Sequence, residues 1–277
     1  FNLLYVELHM SIIYDLSKLP QETQDQIRNS QKFTKWFSEF PKVLFNKDKN
    51  PKTIKGQKYG VLTFILYMSS HKESGVNLCA MADIAGCIID CLKNQGRGQM
   101  TCTQMSRLRK TLFFLQFFAE FMAMVKKELQ LGLAYAERNG YKLAVRMNGT
   151  TDIRWELKIW DYMVKMYKQG LQWYDYTKIP NRLVPCSKVY DLTFSYSGKK
   201  EYLPYVDKAI KLGMRIAFVV RYAHLIPKTF MGMKVLIGDE HDIRYIEPQG
   251  TAIALTAKGS AVHNDNGFVW DNTQQVA

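Results

Sequence analysis

The sequence predicts an α/β fold, a complete or partial (β/α) barrel with a cysteine-bearing loop after the first core strand. Three observations predict it. Short β-forming runs alternate with helical patterns over most of the chain. Most of these runs end in polar residues, as barrel strands do where their loops open on one face. The first core run, Tyr59 to Ser69 (YGVLTFILYMS), is continuously apolar and rich in β-formers, which suits a strand buried on both faces. A doubly wound sheet fits less well, because no G-x-G-x-x-G follows a strand and no P-loop is present.

Residues 1–58 read as an N-terminal extension packing on the core. FNLLYVELH precedes Met10, and MSIIYDLSKLP resembles an ordinary protein start. The leading residues are therefore upstream or tag sequence, or a first strand, and no signal peptide is read. Pro20-Gln21-Glu22-Thr23 opens a short helix through Lys35, with the proline near its first turn. Trp36, Phe37 and Phe40 form a packing anchor. Asn46 to Gln57 (NKDKNPKTIKGQ) is expected to be a charged, solvated loop.

The barrel-like domain is read over residues 59–259. A long helical pattern runs from about Thr103 to Asn139 and stops at Asn139-Gly140. Tyr141 to Met147 is a strand, and Ile153 to Lys168 an amphipathic helix stopped by Gly170. Strands follow at Leu171 to Tyr176 and Val189 to Tyr196, then a helix at Glu201 to Leu212 stopped by Gly213. Met214 to Arg221, Lys234 to Ile237 and Thr251 to Thr256 are the remaining strands. Residues 260–277 read as a polar, loose tail.

The 277 residues suffice for one large domain or two small ones. The net charge of +13 and pI of about 9.4 favour contact with nucleic acid or another polyanion. A basic surface without a specific partner is the plainer reading. Five cysteines are an odd number for a paired framework, and they cluster, which points to a reducing compartment. No uncharged apolar run reaches the roughly 18 residues needed to span a bilayer.

The cluster lies in Ser74 to Gly98, SGVNLCAMADIAGCIIDCLKNQGRG, with Cys79, Cys87 and Cys91 spaced C-x7-C-x3-C. Three thiolates on a loop after a strand suit zinc or an iron–sulfur cluster, with Cys102, His71 or His241 as a possible fourth ligand. The alternative is that the thiols are buried small hydrophobes. Cys186, after Pro185, is read as structural. In a barrel, the strand-end residues Asn148, Asp152, Asp175, Asp239 and Asp242 converge with this loop as candidates for substrate binding or proton transfer. Capping of the following helix is the competing role of Asp152. Arg97, Arg107, Arg146, Lys178 and Lys258 are candidate phosphate or nucleic-acid contacts, with Trp155, Trp173 or Tyr176 stacking on bases. Arg182 and Arg244 belong to the same scatter of basic residues.

The runs S-G-x-N-x-C, G-C-x3-C-L and G-R-G, followed by R-x-R-x-T and R-x-N-G-T-x-D-I-x-W-E, resemble a family of bacteriophage-encoded proteins of unassigned activity. Y-D-Y-T-K, G-D-x2-D-I-R and L-x-A-K-G fit the same family, and the resemblance covers Tyr59 to Gly267. It implies a phage origin and a host-cytoplasm location. The order of a strand, three cysteines and a barrel is also similar to radical-SAM enzymes, which implies an iron–sulfur cluster and SAM. The spacing there is C-x3-C-x2-C, and Asn148-Gly149-Thr150-Thr151-Asp152 stands where Gly-Gly-Glu is expected. A barrel with strand-end aspartates and a three-cysteine zinc site is similar to base-exchanging transglycosylases as well. The leading expectation is a metal- or iron–sulfur-dependent enzyme acting on nucleic acid or a nucleotide, such as a base modifier. The rivals are a transglycosylase-like base-exchange enzyme and a non-catalytic binder of DNA or a host protein with a zinc-stapled loop.

Overall fold

Strand β2 (Val61–Leu66) is buried at every residue, as its unbroken apolar run requires. It begins a parallel series with β3 (Lys142–Arg146), β4 (Gln172–Thr177), β5 (Tyr190–Ser195), β6 (Arg215–Val220), β8 (Met233–Ile237) and β9 (Ala252–Thr256). The short strands β1 (Phe45–Asn46), β7 (Thr229–Phe230) and β10 (Val269–Trp270) complete the set. This computed structural model describes residues 11–47, 51–88, 91, 96–182, 187–263 and 265–275. Cys186 lies outside them.

The sheet order is β1-β2-β3-β4-β5-β6-β9-β8-β7. It is sequential through β6, as in a (β/α) barrel, and then departs because β8 lies outside β9. Among the described residues no pairing joins the two ends of this order, so the sheet is open along its recorded path. β1 and β7 pair antiparallel at the two ends. β10 pairs with Val219 and Val220 of β6, on the side that β5 leaves after Ser195. The C-terminal segment is thus part of the sheet and not a loose tail over its described residues.

One face of the sheet packs on helices. Leu62, Phe64, Leu143, Val145, Trp173, Phe194, Ile216 and Phe218 join the main core there. Helices α4 (Thr101–Gln116), α5 (Phe118–Arg138), α6 (Glu156–Lys168) and α7 (Leu203–Lys211) supply the other layer. The long predicted helix is two, because Phe117 (φ −135°, ψ 57°) breaks it. Its ring packs on Tyr14 and Phe40, contacts that bring the N-terminal segment onto the core. The predicted first helix is also two, α1 (Gln21–Arg28) and α2 (Gln31–Phe37), with Ser30 capping the second. The expected charged loop instead contains helix α3 (Pro51–Gln57), opened by a proline at its first position. Tyr14, Phe33, Phe37 and Leu44 belong to the main core, so the N-terminal segment shares it.

The other face is more polar. Arg146, Thr193 and Arg215 are buried there, beside a small cluster of Val61, Ala144, Tyr174 and Ile243. The segment returning from β8 to β9 crosses this face. Its Asp242 pairs with Arg146 and accepts from Tyr176 Oη at 2.9 Å. No described helix is long and apolar enough to cross a membrane.

Candidate functional site

The loop after β2 lies over the C-terminal ends of the strands and is fastened on two sides. Asp152 N–H donates to the Leu78 carbonyl at 2.9 Å, and the Cys79 thiol to the Thr150 carbonyl at 3.6 Å. On its other side, Ser197 Oγ donates to Ala85 O and Asn266 Nδ2 to Gly86 O, both at 2.7 Å. Gly86 has φ +64°, and a Cβ there would stand 2.6 Å from the Lys199 side chain. The left-handed backbone is what favours glycine there, since the flexible lysine end can move aside.

Beneath this loop sits Lys178. Its ammonium donates to Ser195 O, Ser195 Oγ and Tyr196 O at 3.2, 3.1 and 3.5 Å. It also lies over the rings of Tyr202 and Phe268. Burial lowers its proton affinity, while the fields of Cys87, Asp152, Cys91 and Cys79 oppose that shift. The three loop cysteines, Asp152 and Lys178 therefore share one electrostatic neighbourhood. Burial pushes the Cys79 thiol up to about 12 and the Cys87 thiol upward, so both are protonated at neutral pH.

Asp152 accepts from Thr177 Oγ1 at 2.9 Å, Lys178 N at 2.7 Å and Arg182 Nη1 at 3.2 Å. Arg182 is itself fully paired, because it also holds Glu156 and the Ile153 carbonyl. Asp152 therefore knits the ends of β3 and β4 together and does not cap α6. Asp175 faces the helical side, where it accepts from Met147 N, Asn148 N and Tyr190 Oη at 3.1, 3.1 and 2.8 Å. Burial pushes its carboxyl up to about 7. Asn148 accepts through Oδ1 from Thr151, Ile153 and Trp155, and donates through Nδ2 to Ile153 O at 2.9 Å. Its side chain thus fixes the loop after β3.

The remaining expected residues separate into groups. Arg146 lies on the polar face against the Tyr174 and Tyr176 rings and pairs with Asp242. Asp239 accepts from Thr256 N at 3.0 Å and pairs with exposed Lys258 at 3.3 Å. Arg107 stacks on Tyr67 in the field of Cys91, and its Nε and Nη1 are buried without a hydrogen-bond partner among the described residues. Arg97 is exposed on a 3-10 turn before α4. Trp155 and Trp173 are fully buried core rings, which leaves Tyr176 as the accessible aromatic of the three. Tyr176, Ser195, Val219 and Leu255 are half-buried at otherwise buried strand ends, so the polar face opens to solvent there.

Three soft sulfur donors on one loop have the chemistry for zinc or an iron–sulfur cluster. In the arrangement seen they do not form a ligand set: Cys79, Cys87 and Cys91 donate to Thr150 O, Ala82 O and Ser70 Oγ respectively. Among the described residues no group of three His, Cys, Asp or Glu side chains stands ready to hold an ion. Of the possible fourth ligands, His71 stays in the loop and meets Asp83 at 3.1 Å. Cys102 accepts from Lys32, and His241 packs on the Tyr59 ring. Glu156 and Tyr190 do not stand out in the sequence, and their roles follow only from their partners across strands.

Fold and site define an α/β protein with a parallel core sheet, whose strand ends are covered by a thiol-bearing loop. A family model described as Gene product 88 matches residues 41–272. The chain belongs to that family, a bacteriophage family as its motifs imply. No curated protein and no solved structure matches it.

Proposed function

We propose that this phage protein is a metal- or iron–sulfur-dependent enzyme of the host cytoplasm. Its site is the mouth of a partial (β/α) barrel, and its substrate is a nucleotide or nucleic acid. The observation that carries this reading is the seating of the three-cysteine loop over the strand ends, where it bonds to Thr150, Asp152, Ser197 and Asn266. The three cysteines would hold the metal group, which supplies a Lewis acid or an electron carrier. Binding requires the thiols to lose their protons and their present carbonyl and hydroxyl partners. Lys178 then balances the thiolate charge, and Asp152 keeps Lys178 in register through its backbone N–H. Arg107 offers its free donors to an anionic group. SAM is a possible co-substrate by the radical-SAM resemblance alone.

One observation favours a second reading, a non-catalytic DNA- or host-protein-binding protein with a zinc-stapled loop. The carboxylates of Asp152, Asp175 and Asp242 are all held by the protein's own donors, which leaves little free for proton transfer.

Anaerobic purification with metal analysis separates these readings. About four irons per chain with a brown chromophore is expected for a cluster enzyme. A single zinc supports a transglycosylase-like or structural role. If neither metal is found, and Cys79→Ala, Cys87→Ala and Cys91→Ala each keep the wild-type Tm, the metal reading is wrong.

A further inference from the structure

We infer that the groove between α5 and α6, on the outer helical layer, docks an amphipathic helix of a partner protein whose flanks carry Asp and Glu. This groove lies on the helices and does not depend on the reading of the mouth. Two backbone irregularities shape it. Phe117 ends α4 and restarts the chain as α5, which leaves Phe118 about 40% exposed. Ile159 (φ −141°, ψ 28°) kinks α6 and leaves Leu157 56% exposed. Both helices pack on the sheet, and a shallow, solvent-open groove runs between them. It continues past Lys126 and Gln130 of α5 and Lys165 and Met166 of α6. From Phe118 to Gln130 that is roughly 18 Å at the α-helical rise, the length of a three-turn helix.

The chemistry selects the occupant. The floor is Phe118, Met122 and Leu157, an apolar strip suited to residues spaced i, i+3 and i+4. Along the groove the Lys126 ammonium lies over the Tyr162 ring, 5.7 Å from its centroid. The rim is cationic, with exposed Lys126, Lys158 and Lys165. The carboxylate of Glu156 is already taken by Arg182. Asp161 is the exposed anion of the groove, and it disfavours a continuous phosphate backbone more than a mixed polypeptide. A second copy of this chain, at +13, would bring cations to a cationic rim.

Selection from a displayed library of random 16-residue peptides against the intact protein tests this. Enriched peptides are expected to combine an i, i+3/i+4, i+7 apolar spacing with Asp or Glu, and to gain helicity on binding. Leu157→Glu and Lys126→Glu/Lys158→Glu are expected to weaken the best peptide about tenfold or more by fluorescence anisotropy. Both variants alter exposed side chains, and unchanged thermal unfolding shows that they fold. Peptides that bind Leu157→Glu equally, or a basic consensus, overturn the proposal. So does a wild-type dimer that Leu157→Glu makes monomeric, or a single-stranded oligonucleotide that displaces the peptide and is itself lost in the double lysine variant.

Discussion

Asn148, a candidate for chemistry at a strand end, also holds the loop after β3 together. Its side chain serves Thr151, Ile153 and Trp155, and it is 4% exposed. Asn148→Ala leaves a buried N–H, hydroxyl and indole without an acceptor. It is expected to cost about 3 kcal/mol, read as a lower urea midpoint at constant m. A change under about 0.5 kcal/mol would mean that water replaces the amide without loss. Asp152 and Asp175 follow the same pattern. A lone sequence shows polar residues at strand ends, but not whether they face solvent or one another.

At the scale of elements, the periodic signals located most strands and helices within a few residues. What they did not reveal is where tertiary contacts override local preference. Phe117 leaves helical geometry because its ring gains Tyr14 and Phe40, which lie far away in sequence. Gly132, inside α5, is the complementary case. Alanine there would gain about 1 kcal/mol of helix propensity. Its Cβ, however, would stand 2.5 Å from the Phe64 ring, which is buried against Phe45. Gly132→Ala is therefore expected to destabilise the protein by about 1 to 2 kcal/mol in thermal or urea unfolding, as overpacking outweighs propensity. A stabilised variant would show that α5 shifts freely on β2.

At the scale of the molecule, the polar face of the sheet concentrates charge within a protein of net charge +13. Arg146, Arg215 and Arg244 meet Asp242, Asp191 and Glu247 there. Burial pushes Glu247 up to about 7, as it does Asp175 on the opposite face. The sign of the linkage follows. Between the unfolded carboxylate pKa, about 4, and 7 the folded state binds more protons than the unfolded one, so stability falls as pH rises through that window. The Asp175→Asn/Glu247→Gln variant is expected to show a flatter profile than wild type from pH 4 to 7 in urea titrations. Parallel profiles would mean that both groups titrate normally in the fold.

The sequence by itself determined the α/β class, the order of most elements, the phage family and the position of the thiol loop after the first core strand. Those properties rest on local periodicity and on motifs contiguous in the chain. Only the tertiary structure decided that β8 lies outside β9, that the C-terminal segment joins the sheet, and that Lys178 sits under the cysteines. It also decided that Asp175 faces the helices while Asp242 lies on the opposite, polar face. These depend on which strands pair and which face each side chain meets, and pairing is set by the burial of the whole core, a quantity no short stretch of sequence carries.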